Sequence, residues 1–351
     1  MGTKHNYLIS GCAYNFAPIL THIAILSCGE NDVLSIPESV PFQGEWGRND
    51  AIAILEESEH ELPRDLHLIY LSLLEQQFYI INEEIPPIIN EYWNTKDSST
   101  GNLIYNKVVI GMAPYGNVAF WLAGYNKEML LFFTKGRKIN LSLSDFFPDI
   151  CFSDINELCS YFVMNNRIAC EYQIKNGTSS SSVFEKFMQQ FTYRYLPLFE
   201  KWDDGEEVKW QKYEEDKIRP EFEYIEESLF DGTFDKLHDD GLLKYHQAGK
   251  PKKLAIKWHI KKSEYTAYFW FEDEKICSIF ERFYGAHPDT KTDFIIRIDA
   301  EQKKYELALF RQGLKEPQII PEDAYQLLVF KNKFEHYRSD NYNQESGAWI
   351  W

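Results

Sequence analysis

Short apolar runs separated by Gly, Asn and Pro make up most of the chain, and their lengths predict strands rather than long helices. Tyr7 to Tyr14, Ile19 to Ser27 and Val33 to Ile36, closed by Pro37 and Pro41, read as an antiparallel meander. Leu66, Leu68 and Tyr70 alternate after Pro63, and Phe78 to Ile81 supply a second strand. Pro86 and Pro87 can open a short helix with Ile88, Ile89, Tyr92 and Trp93 on one buried face, because proline suits the first helical turn. Val108 to Met112, Val118 to Leu122 and Met129 to Phe133 follow as strands, the first two joined by the turn Pro114-Tyr115-Gly116-Asn117.

The same order returns near the C-terminus. Leu254, Ile256 and Trp258 alternate, Tyr265 to Phe271 form a strand, and Ile276, Phe280 and Phe283 mark a helix face. Phe294 to Ile298 and Tyr305 to Phe310 supply the next strand pair. The offset stays at about 188 residues throughout, which reads as a divergent internal repeat. The expected fold is α+β and strand-rich: two tandem related domains with mostly antiparallel sheets and a short helix each. The boundaries fall at 1–176 for the first domain, 177–248 for a linker, helix and insertion, and 249–351 for the second. Asn176-Gly177-Thr178 with Ser179 to Ser182 forms the linker, and 183–196 reads as an amphipathic helix through Phe184, Phe187, Met188 and Phe191.

Composition then locates the charge. The chain has 351 residues and a formal net charge of −17 at pH 7, and residues 200 to 240 hold 16 acidic against 6 basic side chains. That balance opposes nucleic-acid binding, which draws its affinity from Lys and Arg; it would attract a basic protein partner, and it equally serves to keep the chain in solution. Trp202, Trp210, Tyr213, Phe222, Tyr224, Phe230 and Phe234 interrupt the acidic stretch, so it docks on something rather than solvating. Six cysteines at irregular spacing read as buried free thiols. No apolar stretch reaches the length of a membrane span, and no signal-peptide core opens the chain. Ile9-Ser10-Gly11-Cys12 imitates the end of a lipoprotein signal, but Lys4, His5 and Asn6 precede it, so it reads as coincidence. The address is cytoplasmic as the chain stands, and periplasmic if an export signal has been trimmed away.

Signatures of known chemistry are absent: there is no GxSxG elbow, no P-loop, no GxGxxG after a strand and no HExxH. Neither cofactor, metal ligand set nor catalytic residue is assigned. The densest polar cluster is Asp235, His238, Asp239, Asp240 and His246, where a cryptic hydrolytic site is the alternative reading. Arg297 and Asp299 alternate on one strand face and suit a cross-strand ion pair. Gly347-Ala348-Trp349-Ile350-Trp351 is apolar for a terminus and reads as a docked tail or an aromatic anchor.

Tyr7 to Tyr14 with Pro18, the strand pair after Leu62-Pro63, and Ala113-Pro114-Tyr115-Gly116-Asn117-Val118 resemble a large bacterial family built on a domain of unknown function. Gly249-Lys250-Pro251-Lys252-Lys253-Leu254 and Ala348-Trp349-Ile350-Trp351 are similar to chains of the same kind. Many members are lipoproteins, and some are encoded beside type VI secretion effectors, particularly phospholipases. The resemblance therefore implies an immunity protein, with a cognate toxin or effector as partner and no catalytic residues to carry over. The expected contact residues are Trp202, Asp203, Asp204, Trp210, Tyr213, Trp349 and Trp351.

Overall fold

A computed structural model describes residues 3–14, 19–29, 32–35, 46–47, 59–97, 100–146, 152–165, 181–200, 221–238, 244–299, 301–333 and 335–340. The chain divides into two compact units, Met1–Met188 with Asp231–Phe234, and Gln189–Phe230 with Asp235–Trp351. Both are strand-rich with mostly antiparallel pairing and few, short helices.

In the first unit the strands are β1 (Lys4–His5), β2 (Leu8–Ala13), β3 (Ile19–Ser27), β4 (Val33–Ser35), β5 (His60–Glu61), β6 (Asp65–Ser72) and β7 (Gln77–Glu84). After helix α1 (Ile89–Trp93) come β8 (Tyr105–Met112), β9 (Asn117–Gly124), β10 (Lys127–Lys135) and β11 (Arg137–Ile139). Among the described residues three helices follow: α2 (Leu143–Phe146), α3 (Ile155–Asn165) and α4 (Ser181–Met188). The two larger sheets run β2-β8-β9-β10 and β11-β7-β6-β3-β4, and β1 pairs separately with β5. Leu66, Leu68 and Tyr70 of β6 meet Val108, Ile110, Phe120 and Leu122 in one core. Leu71, Leu73 and Phe78 bury the opposite side against Phe146 and Leu158 of the helices. Burial on both faces explains why β6 reads as an almost continuous apolar run.

Two local expectations need correcting here. Tyr7 to Ser27 is not a meander: β2 pairs in parallel with β8, whereas β3 pairs antiparallel with β4 and β6 in the other sheet. β2 is buried along nearly its whole length, as suits a strand with cover on both faces. In α1 only half of the expected face is buried. Ile89 and Trp93 form the inward ridge, Trp93 lying 5.4 Å from Tyr7, while Ile88 and Tyr92 lie one position round and are exposed.

The turn Pro114–Gly116 holds Tyr115 at φ 64° and Gly116 at φ 82°, and the Tyr115 amide donates to the Glu75 carboxylate at 2.5 Å. That charged bond offsets the strain of a bulky residue in the left-handed region. At the next hairpin tip Tyr125 is 95% exposed, so Tyr125→Ser should shift stability by no more than about 0.5 kcal/mol in urea denaturation.

The second unit begins with β12 (Phe191–Glu200), β13 (Glu221–Leu229), β14 (Phe234–His238, after its first residue) and β15 (His246–Ala248). Then come β16 (Pro251–Ile260), β17 (Ser263–Phe271), helix α5 (Asp273–Tyr284), β18 (Thr292–Asp299), β19 (Tyr305–Arg311), β20 (Gln318–Ile320), β21 (Tyr325–Lys331) and β22 (Glu335–Asp340). One sheet runs β15-β12-β18-β19-β20, the other β14-β13-β16-β17-β21-β22. Their facing sides join through Phe269 with Tyr305 and Phe271 with Phe294, and α5 adds Phe280 against Tyr193 and Phe294. As in the first unit, an early strand, β12, pairs in parallel with a strand that follows a helix, β18. Likewise β13 pairs antiparallel with β16, as β3 does with β6.

The helix expected over 183–196 ends at Met188, because Thr192, Tyr193 and Tyr195 favour a strand and Pro197 cannot continue a helix. The stretch read as a linker, helix and insertion thus contains β12 to β15. Of the linker read at 176–182, residues 176–180 lie outside the described residues, while Ser181 and Ser182 form the first residues of α4. Cys12, Cys28, Cys159 and Cys277 are buried thiols, and burial pushes that of Cys159 up to about 11.

Candidate binding face

Alternation along β13, β16, β17 and β21 sends successive residues to opposite faces of the sheet. Ile225, Leu254, Ile256, Trp258, Ala267, Phe269, Leu327 and Val329 point into the core and are buried. The intervening positions hold Tyr224, Lys253, Lys257, Tyr268, Trp270 and Phe330, all half-buried, with Leu328 nearly covered. Pairing makes them neighbours: Lys253 lies opposite Trp270, Lys257 opposite Tyr224, and Leu328 opposite Tyr268.

These side chains form an aromatic patch edged with ammonium groups. Tyr268 and Trp270 stack at 5.7 Å with their planes 16° apart, and Phe330 meets Tyr268 edge-on at 6.1 Å. The Lys253 ammonium sits 5.4 Å from the Tyr268 ring and 5.7 Å from the Trp270 ring, and that of Lys236 lies 3.6 Å over Tyr224. Lys236 also pairs with Glu226 at 3.0 Å. Burial, reinforced by the Glu226 charge, pushes the Tyr224 phenol up to about 12. Half-buried Tyr and Trp rings, held in place by their neighbours, are the composition of protein-binding surfaces.

A polar cluster lies in the same unit. Glu227, inward on β13 between Ile225 and Leu229, is buried, and its carboxylate is 3.6 Å from Nε2 of His246 on β15. Burial is the largest influence and disfavours the imidazolium, but Glu227, the Lys244 carbonyl and Asp235 together outweigh it, so the His246 pKa lies above its ordinary value. Tyr195 is fully buried, and its burial together with the Glu227 charge keeps the phenol protonated. A group raised in this way stabilises fully below the unfolded-state pKa of ~6.5 and loses that contribution as pH rises through the folded value. The second unit should therefore become less stable as pH increases above ~6.5, and Glu227→Gln should flatten that dependence in urea titrations at several pH values.

Within the expected hydrolytic cluster, Asp235 and His246 come within electrostatic reach of each other, while His238 is exposed at the end of β14 beside the Tyr224 ring. Asp239 and Asp240 lie outside the described residues, as do Trp202, Asp203, Asp204, Trp210, Tyr213, Trp349 and Trp351. Arg297 does form a cross-strand ion pair, with Glu306 on β19, whereas Asp299 accepts the amides of Lys303 and Lys304 at 2.6 and 3.0 Å. Sequence reasoning overlooked Tyr268, Trp270 and Glu227. Their signals were the unbroken apolar run of β17 and a glutamate at an inward position. In the first unit an open cavity of about 290 Å³ is lined by Glu61, Arg64, Glu84 and Asn90, and Arg64 donates to Glu61 across its wall at 2.5 Å.

Among the described residues no helix is long and apolar enough to cross a membrane. Residues 29–204, just over half of the chain, match the model of a family described as "Protein of unknown function (DUF2931)". Neither a curated protein nor a solved structure matches.

Proposed function

The chain belongs to the DUF2931 family of proteins of unknown function, and from that premise we propose that it is a non-catalytic binding protein, an immunity protein that blocks a secreted antibacterial toxin by direct contact. The observation that carries this reading is the patch of Tyr224, Tyr268, Trp270 and Phe330 on the second unit. Rings already immobilised by stacking and lysine contacts lose little further freedom on binding, which is how interface anchors contribute affinity. The net charge of −17 adds long-range attraction for a basic partner. The resemblance to proteins encoded beside type VI secretion effectors supplies the partner class. Co-expression with the product of the adjacent gene tests it: restored growth and co-purification are expected, and failure of both removes the reading.

The same proposal takes the chain as two related copies of one domain. The matching pairings of β2 with β8 and β12 with β18, and of β3 with β6 and β13 with β16, support this. An experimental structure in which those pairings differ would end it. The hydrolytic alternative keeps one supporting observation, the contact of His246 with Glu227. Loss of protection in His246→Ala, with partner binding intact, would favour that alternative.

A further inference from the structure

The sheet that carries the aromatic patch also brings together three side chains able to ligate a metal. We propose that Glu223, His259 and Glu264 form a binding site for a divalent transition-metal ion of the zinc class, with Lys257 as its built-in competitor. Antiparallel pairing of β16 with β17 sets His259 directly opposite Glu264. On the other side of β16, β13 pairs Phe222 with Trp258 and then Tyr224 with Lys257, so Glu223 is the extra residue of a β-bulge. A bulge re-aims a side chain, and this one turns Glu223 to His259, with Oε2 2.7 Å from Nε2. One ligand atom from each of the three residues lies within 4.8 Å of the other two.

The donor set is one imidazole nitrogen and two carboxylates, which suits zinc and its neighbours and leaves a coordination position open. Calcium, by contrast, takes six to eight oxygens. The site already holds a cation: the Lys257 ammonium is 3.1 Å from Oε2 of both Glu223 and Glu264. Lys257 stands where positive charge is wanted between two carboxylates, on a flexible stem that can swing away. At 37%, 39% and 20% exposure, His259, Glu223 and Glu264 are open to an incoming ion. Once bound, the ion would pin β13, β16 and β17 together at one edge of the aromatic patch. The site stands independently of the immunity reading.

Calorimetric titration of the full chain with zinc chloride, with calcium chloride as comparison, tests it. Saturable binding of one zinc and no comparable calcium binding are expected. Removing a partner outside the ligand shell commonly costs ~10–100-fold in affinity, so removing a ligand in H259A or E223Q should cost at least ~10-fold. K257M, which removes the competing charge and leaves the carboxylates facing each other, should bind zinc more tightly than the parent chain. Because these side chains are partly exposed, unchanged circular dichroism is expected in all three variants. Equal zinc affinity in H259A and the parent, or no saturable binding in K257M, would overturn the proposal.

Discussion

Trp258→Ala is expected to destabilise the second unit by about 3–5 kcal/mol, read as a lowered urea midpoint by circular dichroism. The indole is fully buried, stacks on Tyr265 at 5.6 Å with the planes 10° apart, and contacts Phe199 and Tyr305 at 5.7 and 6.4 Å. Alanine leaves a void among rings that cannot close it. It also removes the Nε1 hydrogen bond, 2.8 Å to Oε1 of Gln302, a buried residue held at φ 62°. The side-chain oxygen of the buried Gln302 loses this donor, and a buried hydrogen bond broken on one side costs about 1–3 kcal/mol. Trp258→Phe keeps an aromatic ring and most of the packing, loses the bond, and should cost less than alanine. A loss below about 1 kcal/mol for Trp258→Ala would contradict this packing.

The second large effect concerns binding. Tyr268→Ala with Trp270→Ala should leave the second unit folded, because both rings stand on the outer face of β17 while Phe269 and Phe271 fill its core. Partner affinity should fall at least ~100-fold, since a single aromatic anchor is commonly worth about 2 kcal/mol or more, roughly 30-fold. Biolayer interferometry against the co-purified partner reads this directly. Unchanged affinity would place the contact elsewhere on the chain.

Much of the strand content was legible because alternation is local: β6, β8, β16, β17, β18 and β19 all follow apolar positions visible in the sequence. Pairing was less so. Nothing near Tyr7 to Ser27 states that β2 and β3 enter different sheets, since that choice depends on β6 and β8, far along the chain. The spacing predicts too long a helix over 183–196 because Phe191 continues the interval of Phe184 and Phe187, although the residues after it prefer a strand. Glu221, Glu223, Glu226 and Glu227 hid β13 as an acidic run. Its alternation appears only when Ile225, Glu227 and Leu229 are taken as one inward face, and the bulge at Glu223 interrupts that pattern. The candidate face was obscured for a related reason: in β17 both faces are apolar, and sequence alone does not say which side is covered.

Whether the chain binds its target or transforms a substrate is decided by stoichiometry. Toxin activity should be titrated against increasing amounts of purified chain. A blocking protein predicts loss of activity in proportion to chain added, complete near one equivalent. Full protection at a small fraction of an equivalent would contradict the account and identify turnover.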